Sequence, residues 1–196
     1  MNMPQPHIIL ASSSPYRKEL LGRILEDFDA VPPDIDETPF PDEEPIELVA
    51  RLAQQKALAI AVNHPEALVI GSDQVCVLNN QILGKPGTMD KAIEQLKACS
   101  GQTVTFYTSL CVTSANETAQ NTTVVATKVQ FRQLAETEII SYLEKEQPLD
   151  CAGSFKCEGL GIVLFEAIES KDPTALIGLP LIALSTKLRE LGVKLI

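Results

Sequence analysis

A predicted strand at residues 68–78 carries a run of small and polar residues inside an otherwise apolar stretch. The run is Gly71, Ser72, Asp73 and Gln74. Burying an ionised aspartate in such a strand has a high desolvation cost unless a cation or a metal accompanies it. The chain must therefore fold so that Asp73 meets a positive partner, and a carboxylate held in this way is a candidate general base. The alternative is a kink at Gly71 in an edge strand, with a hydrogen-bonded aspartate.

Helical and extended patterns alternate around this strand along the whole chain. Apolar residues at helical spacing predict amphipathic helices, whereas runs of valine, threonine and aromatic residues predict strands. Intermixed helices and strands predict an α/β fold with a mixed central β-sheet flanked by helices. The predicted strands are 8–11, 28–31, 68–78, 81–83, 103–113, 122–131 and 162–165, and the predicted helices are 15–26, 46–63, 89–98, 136–146 and 180–191.

The length and charge of the chain limit what it can bind. Its 196 residues, 45% of them hydrophobic, are enough for one domain over residues 1–196 with a full core. The formal net charge is −10, from 16 Lys and Arg against 26 Asp and Glu. A chain this acidic lacks the positive field with which proteins attract nucleic-acid polymers or acidic membranes. An anionic ligand must instead meet a local cluster of cations or a metal.

Further classes of protein and of metal site are excluded by the cysteines, the histidines and the N-terminal segment. Five cysteines, with no Cys-x-x-Cys pair, favour a reduced, cytoplasmic compartment over a disulfide framework. The only histidines, His7 and His64, lie far apart, so any metal is expected to be a hard cation held by carboxylates. We expect no contact with a membrane, since the chain has neither a secretory signal at its start nor an apolar run of about 18 residues.

The first candidate site is the strand, serine loop and helix over residues 8–21. Ser14 is a plausible N-cap and Pro15 suits the first helical position. Ser12, Ser14 and Arg17 then lie within one turn of free backbone N–H groups, which together suit a phosphate group. The alternative is a simple N-cap followed by a surface arginine.

Lys56 lies inside the apolar arc of the predicted helix at residues 46–63. In projection it falls between Val49 and Leu52, close to Ile60. The side chain either extends along the helix surface to reach solvent or points its ammonium group into a cleft against phosphate or carboxylate. Gly84, Lys85 and Pro86 hold a second lysine in a stiff turn, from which Lys85 can approach Asp73 across the hairpin; on its own this motif is an ordinary surface turn.

An acidic loop precedes that helix. Asp34, Asp36 and Glu37 place three carboxylates within four positions. Carboxylates this close repel one another unless a cation lies between them, so the loop is a candidate ligand of Mg²⁺ or Mn²⁺. The alternative is a solvated acidic loop of an acidic protein.

Seven short motifs follow one another along nearly the whole chain. They are Leu10-Ala-Ser12-x-Ser14-Pro15-x-Arg17, Asp36-Glu37-Thr38, Arg51-Leu-Ala-x-x-Lys56-Ala57, Gly71-Ser-Asp73, Gly84-Lys85-Pro86, residues 149–161 and Gly178-Leu-Pro180. This ordered set resembles the Maf family of nucleotide pyrophosphatases. The resemblance implies hydrolysis of a small-molecule nucleoside triphosphate to its monophosphate and pyrophosphate, with Mg²⁺ or Mn²⁺ as cofactor. It also implies an elongated, ITPase-like α/β fold with the active site in a cleft between two lobes, and it leaves a homodimer open.

The resemblance assigns roles residue by residue. Asp73 is expected to be the proton acceptor and, with Glu37, a metal ligand. The residues expected to bind the triphosphate are Ser12, Arg17, Lys56 and Lys85. These assignments fall on positions already selected above on physical grounds.

Three positions within the family vary with the substrate, here Tyr16, Gln74 and Glu158. All three depart from the pattern of members that act on dTTP and UTP and look like the branch that acts on 7-methyl-GTP, which usually has tryptophan in place of Tyr16. Methylation at N7 makes guanine cationic, so an aromatic face gains about 0.5 to 2 kcal/mol from a cation–π contact. Glu158 can accept from the guanine N1–H and the exocyclic amine together.

Three alternatives remain at this stage. Tyr16 can be a helix-surface aromatic and Glu158 a solvated loop acid. The substrate can be a pyrimidine triphosphate, dTTP or UTP, although Gln74 and Glu158 argue against it. The chain can also be a non-catalytic nucleotide-binding regulator, a hypothesis motivated by the family's association with cell division. Such a regulator would bind nucleotide through Arg17 and the lysines but would have no need of Asp73.

Overall fold

The structure, a computed structural model, describes residues 6–115 and 121–196, without the side chain of residue 121. Its strands are β1 His7–Ala11, β2 Asp29–Ala30, β3 Ala67–Leu78, β4 Gln81–Leu83, β5 Thr103–Thr113, β6 Asn121–Phe131 and β7 Phe165–Ser170. Its α-helices are α1 Pro15–Leu21, α2 Pro45–Ala61, α3 Met89–Cys99, α4 Glu136–Glu146 and α5 Leu181–Glu190. The polar loop expected around residue 116 lies outside the described residues.

Two predicted elements are wrong. The first helix ends at Leu21 instead of residue 26, because Gly22 closes it and the chain then turns so that Leu25 and Phe28 pack against the core. The predicted strand at 162–165 is mostly a 3₁₀ helix over Leu160–Leu164, and β7 begins only at Phe165. A short apolar run does not by itself distinguish these two structures. The remaining predicted helices and strands are confirmed to within one or two residues at each end.

Within the described residues the strands form one seven-stranded mixed sheet in the order β2-β1-β3-β5-β6-β7, with β4 paired to β3. β1 pairs in parallel with both β2 and β3, whereas β3 with β4 and β6 with β7 pair antiparallel. The predicted mixed α/β fold is confirmed. β3 has neighbours on both sides, so the alternative of an edge strand kinked at Gly71 is wrong.

The chain forms two compact units. The first comprises Met1–Gln74, Thr108–Val125 and Asp172–Ile196. Here β1 is buried on both faces: Ile8 and Leu10 belong to a core shared with α1 and α5, while Ile9 and Ala11 belong to a core shared with α2. This double burial fixes the end of β1, from which the serine loop departs.

The second unit comprises Val75–Tyr107 and Ala126–Lys171. Four phenylalanines pack edge to face in its core with ring centroids 4.8 to 5.5 Å apart, and they are Phe106, Phe131, Phe155 and Phe165. The predicted hairpin between β3 and β4 is confirmed, with Asn79 and Asn80 at positive φ of 50° and 63°, as a type I′ turn requires. No helix in the described part of the chain has the length and apolar character that a membrane crossing needs.

Gly71 lets helix α2 lie directly on strand β3. A Cβ atom at this position would stand 2.1 Å from the carbonyl oxygen of Ala53 and 2.9 Å from the backbone nitrogen of Ala57. Both atoms are helix backbone, which cannot move aside without moving α2. The glycine therefore sets the distance between the helix that carries Lys56 and the strand that carries Asp73.

We predict that Gly71→Ala lowers the free energy of unfolding by about 3 kcal/mol or more, because overpacking against backbone cannot relax. Gly84→Ala is the matched control, since nothing lies within 4 Å of its added Cβ. The control is expected to stay within about 1 kcal/mol of the wild type. Urea unfolding of both variants checks this, and equal stabilities would contradict the close approach.

Candidate active site

A buried ion pair joins helix α2 to strand β3. The Lys56 Nζ atom donates to Asp73 Oδ1 at 2.6 Å, and the two residues are only 6% and 7% exposed. The cation that an aspartate in this strand requires is thus Lys56. The ammonium group does not reach solvent, so the alternative of a lysine extended along the helix surface is wrong.

The amphipathic pattern of α2 explains why this lysine is buried. Lys56 shares its helix face with buried apolar residues, among them Val49, Leu52 and Ala53. When that face packs on the sheet, Lys56 is carried inside with it. Its ammonium group is then largely shielded from water, and it pairs with the carboxylate oxygens of the protein.

Glu37 supplies a second carboxylate. Its Oε1 atom lies 3.0 Å from Lys56 Nζ, although the Glu37 side chain itself is 58% exposed. Of the other acids in the loop, Asp36 is exposed and accepts a hydrogen bond from the backbone N–H of Thr38 at 2.9 Å. Hydrogen bonding to the side chain of Thr38, and then to its backbone, lowers the pKa of Asp36. The acidic loop therefore brings Glu37 to the ion pair, and Asp36 shapes the loop beside it.

Arg17 is half-buried and held by the backbone of a distant segment. Its Nε atom donates to the carbonyl oxygen of Gly178 at 2.8 Å, which fixes the guanidinium plane. Burial lowers the pKa of Arg17, while the charges of Asp73 and Glu37 raise it. An arginine stays protonated throughout the physiological range. Arg17 thus contributes a second fixed positive charge that both carboxylates sense.

The Gly178 carbonyl also accepts from Ser72. The Ser72 Oγ atom lies 3.0 Å from that oxygen and 2.7 Å from the carbonyl oxygen of Ser109. Gly178 adopts a φ of 126°, a conformation that favours glycine. The glycine turn is therefore a structural part of the site, through its backbone.

Ser109 ties the strands to α2. Its Oγ donates to the carbonyl oxygen of Val49 at 2.6 Å and accepts from the backbone N–H of Asp73 at 3.1 Å. Ser109 was not predicted to belong to the site, and Ser72 and Gly178 had no predicted role. The available signal was the adjacent pair of polar residues, Thr108 and Ser109, at the centre of a predicted strand.

The predicted N-cap at the start of α1 is confirmed. Ser14 Oγ accepts from the backbone N–H of Arg17 at 3.4 Å, and Pro15 occupies the first helical position. Ser12 is 7% exposed, and its Oγ accepts from the backbone N–H of Ser14 at 3.1 Å. The serine loop is thus locked by its own hydroxyls, immediately before the residue that bears the guanidinium group.

Gln74 contacts a turn of the protein. Its Nε2 atom lies 2.9 Å from Thr108 Oγ1 and from the Ala175 carbonyl oxygen, and 3.1 Å from the Leu176 carbonyl oxygen. Asp172 orders the same turn by accepting from the backbone N–H groups of Ile182, at 2.7 Å, and Ala183, at 3.2 Å. The Gln74 amide nitrogen therefore holds the turn that leads to the Gly178 carbonyl.

The other predicted site residues have less distinctive surroundings. Tyr16 is half-buried on α1. Lys85 and Glu158 belong to the second unit and are exposed. Glu158 accepts from the Cys157 thiol at 3.3 Å. Burial, with the Glu158 charge, raises the pKa of Cys157 to about 12, so this cysteine is not poised as a nucleophile.

The two carboxylates near Lys56 are suitable ligands for a hard divalent cation. Glu37 and Asp73 each direct a carboxylate oxygen at the same ammonium group, so both oxygens face a single point of positive charge. Mg²⁺ in proteins is commonly bound by one or two carboxylates together with substrate phosphates and waters. The described residues include no group of three or more His, Cys, Asp or Glu that could hold a metal without such added ligands.

Taken together, the first unit holds two cations and two carboxylates around one buried ion pair. Arg17 and Lys56 match the charge of a phosphate chain, Glu37 and Asp73 match that of a metal, and Asp73 is a carboxylate largely removed from water. Phosphoryl-transfer sites rely on this combination of positioned charges.

Comparison with known proteins gives close relatives along the whole chain. A family model described as "Maf-like protein" matches residues 7–191. A protein of Nitrosococcus oceani named 7-methyl-GTP pyrophosphatase is 54% identical over 195 residues, 98% of this chain and 98% of that protein. Proteins of the same name from Aliivibrio fischeri and Alcanivorax borkumensis are 52% and 53% identical, over 98% and 97% of this chain and 100% and 96% of theirs.

Among solved structures, a HAM1 protein from Coxiella burnetii has a similar fold. It superposes with a TM-score of 0.54 over 94% of this chain and 99% of its own, at 17% sequence identity. At that identity the likeness concerns the fold alone, and it agrees with the mixed α/β architecture described above.

We predict that Lys56→Met costs about 3 to 5 kcal/mol of stability, because it leaves the Asp73 carboxylate buried without a cation. Asp73→Asn is expected to cost less, since the asparagine side chain keeps an oxygen that can accept from Lys56 Nζ. Lys97→Met is the control: Lys97 pairs with Glu136 on the surface, and losing such a pair costs about 1 kcal/mol or less. Urea unfolding at neutral pH measures all three, and a Lys56→Met variant as stable as the control would contradict the buried pair.

Proposed function

Because the chain belongs to the Maf family, we propose that it hydrolyses 7-methyl-GTP to 7-methyl-GMP and diphosphate. The observation that carries the proposal is the buried Asp73 carboxylate held by Lys56 at 2.6 Å, with Glu37 and Arg17 around it. The name shared by relatives that are 52–54% identical over nearly the full chain supports the choice of substrate. The enzyme is a hydrolase of the phosphoanhydride bond between the α- and β-phosphates.

In this proposal the positively charged side chains bind the phosphate groups of the substrate. Arg17 has its Nε atom committed to Gly178, so the two terminal nitrogens of the guanidinium group remain to face phosphate oxygens. Lys56 adds a positive charge that is largely shielded from water and therefore acts strongly over short distances. Ser12 and Lys85 are the other residues proposed to contact phosphate.

Glu37 and Asp73 would hold the divalent cation. When bound, Mg²⁺ or Mn²⁺ neutralises phosphate charge and polarises the phosphorus for attack. The residues of this chain hold the carboxylate oxygens in place beforehand, through Lys56 for both and through the Ser109 hydroxyl for the backbone of Asp73. Little rearrangement is then needed at the moment of reaction.

Asp73 is the proton acceptor in this scheme. A water molecule attacks the α-phosphorus, its proton passes to the Asp73 carboxylate, and the bond from the α-phosphorus to the bridging oxygen breaks as diphosphate leaves. The products are the nucleoside monophosphate and diphosphate. Asp73 is only 7% exposed, so bulk water does not fully solvate its carboxylate. This environment suits a general base.

The base is recognised by Tyr16 and Glu158 in this proposal. A cationic 7-methylguanine gains from an aromatic face and from a carboxylate that accepts its N1–H and amine hydrogens. Gln74 acts less directly: its amide nitrogen is within hydrogen-bond distance of the carbonyl oxygens of Ala175 and Leu176. It therefore influences specificity through the turn that it holds.

We further propose the cytoplasm as the location of this activity. None of the five cysteines forms a disulfide in the described structure. Reduced thiols are usual in the compartment that also holds the nucleotide pool. Removing modified nucleotides from that pool is the role that the proposed reaction would serve.

We predict that Asp73→Asn lowers turnover by at least about 100-fold, because a general base contributes about 10² to 10⁴ in rate. Nucleotide binding should largely persist, since Arg17 and Lys56 are unchanged. Pyrophosphate release from 7-methyl-GTP, GTP, dTTP, UTP and CTP with Mg²⁺ or Mn²⁺ measures the activity, and Asp27→Asn, at an exposed aspartate, is the control. An active Asp73→Asn variant would contradict its role as proton acceptor.

The same panel decides between the alternatives for the whole protein. If the wild-type protein hydrolyses none of the five nucleotides, the proposed function is wrong and a nucleotide-binding regulator is favoured. A wild type that uses dTTP or UTP ahead of 7-methyl-GTP would favour the pyrimidine alternative and leave the reaction class intact.

We predict that Glu158→Gln lowers kcat/KM for 7-methyl-GTP about tenfold relative to dTTP. A hydrogen bond to a charged group contributes about 1.5 kcal/mol or more, and a glutamine offers only one acceptor oxygen. Steady-state kinetics with both nucleotides check this, with Glu144→Gln, at an exposed glutamate of α4, as the control. An unchanged preference would remove Glu158 from base recognition.

A further inference from the structure

The Arg51 side chain contacts several neighbouring residues, although it lies near the surface. On α2, its Nε and Nη2 atoms donate to the two carboxylate oxygens of Glu43 at 2.6 and 2.7 Å. Its Nη2 also donates to the carbonyl oxygen of Thr38 at 3.1 Å, and its Nη1 donates to Gln55 at 3.0 Å. The guanidinium carbon lies 4.0 Å from the centre of the Phe40 ring.

Three of these partners belong to the acidic loop that precedes α2. Thr38, Phe40 and Glu43 lie in the segment over residues 31–44, which has no helix or strand of its own. Glu37 is in the same loop, one residue before Thr38. Arg51 therefore fastens to α2 the stretch of chain that presents Glu37.

The contact between Glu37 and Lys56 is too weak to hold that loop by itself. The Glu37 side chain is 58% exposed, and an ion pair with an exposed partner is worth about 0 to 1 kcal/mol. Fixing the backbone of one residue alone costs about 1 to 2 kcal/mol. The position of Glu37 must therefore come from other contacts of the loop.

The pair between Arg51 and Glu43 has the geometry to supply this anchoring. The Arg51 and Glu43 side chains are 16% and 7% exposed, so the two parallel hydrogen bonds are largely shielded from water. The hydrogen bond from Arg51 lowers the pKa of Glu43, and the same contact raises the pKa of Arg51. Both groups are thus charged at neutral pH, and a bidentate arginine–carboxylate contact of this kind is among the strongest in proteins.

We propose that Arg51 is a positioning residue that sets how Glu37 approaches Lys56 and thereby sets the affinity of the site for its divalent cation. The inference rests on the proposed function, since Glu37 is a metal ligand only there. Arg51 and Lys56 lie on the same helix, five residues apart, so α2 fixes both the ion pair and the anchor of the loop. Residues that orient a metal ligand typically change metal affinity 10- to 100-fold when replaced.

The test compares Arg51→Lys with the wild type. Lysine keeps the charge but cannot make the bidentate contact with Glu43 together with the contact to Thr38. We expect binding of Mn²⁺, measured by electron paramagnetic resonance without nucleotide, to weaken at least about tenfold. In the metal-free protein we expect faster hydrogen exchange at the Thr38 amide, which donates to Asp36 at 2.9 Å. Phe40→Leu, which removes the ring under the guanidinium group, should shift both quantities in the same direction.

Arg132→Lys is the matched control. Arg132 also donates to one carboxylate, Glu138 at 3.1 Å, and to one carbonyl oxygen, that of Val163 at 2.8 Å, but it belongs to the second unit. Its replacement should leave Mn²⁺ affinity and exchange at Thr38 unchanged. If the control weakens Mn²⁺ binding as much as Arg51→Lys does, a general loss of stability explains both and the inference fails.

A double variant separates positioning from structure. In a Glu37→Gln background the ligand is already impaired, so adding Arg51→Lys should lower Mn²⁺ affinity by much less than tenfold. An undiminished effect in that background, or a wild-type Mn²⁺ affinity in Arg51→Lys alone, would overturn the inference. Neither result contradicts the proposed function. That proposal is contradicted instead if the wild-type protein hydrolyses no nucleoside triphosphate.

Discussion

The ion pair between Lys56 and Asp73 is the interaction on which the arrangement of the first unit depends. Both residues are more than nine-tenths buried, so each charge would be strongly destabilising without the other. Such a pair gives little net stability compared with two well-packed apolar residues. A gain in stability therefore does not account for the pair, and the surrounding structure can be understood as what keeps two buried charges 2.6 Å apart.

Three features of the backbone serve that end. Gly71 admits α2 to within contact of β3, Ser109 bonds to both elements, and the Gly178 carbonyl accepts from Ser72 and Arg17. The ion pair, the guanidinium group and the turn before α5 are thus connected by short hydrogen bonds within a single unit. The helix, the strands and their backbone atoms hold this site in place, and they limit the motion of its charged side chains.

The sequence predicted the parts of this site whose signal is local. A charge within an apolar pattern identified Asp73 and Lys56, and an N-cap pattern placed Ser14 correctly before α1. The partnership of Asp73 with Lys56 was not predictable, because it depends on how α2 lies across β3, and no local pattern encodes that register. The roles of Ser109 and Gly178 were missed for a related reason: a small hydroxyl and a backbone carbonyl carry no charge pattern. Gln74 was identified through the family resemblance alone, and its role in substrate choice stays a prediction. Its amide nitrogen lies within hydrogen-bond distance of Thr108 Oγ1 and the Ala175 carbonyl oxygen, contacts that no local pattern encodes.

Net charge describes the surface of this molecule and says little about its site. The chain carries −10 overall, yet Arg17 and Lys56 balance Glu37 and Asp73, so these four groups sum to zero. A neutral cluster avoids the self-repulsion that two unpaired cations or two unpaired carboxylates would suffer in a shielded place. In the proposed function, the two cations would face the phosphates of the substrate and the two carboxylates would face the metal. Lys56 contacts both carboxylates, and Arg51 contacts the loop that carries Glu37. In the proposed function the positions of these opposite charges would therefore be set before either ligand arrives, which is the condition for electrostatic preorganisation.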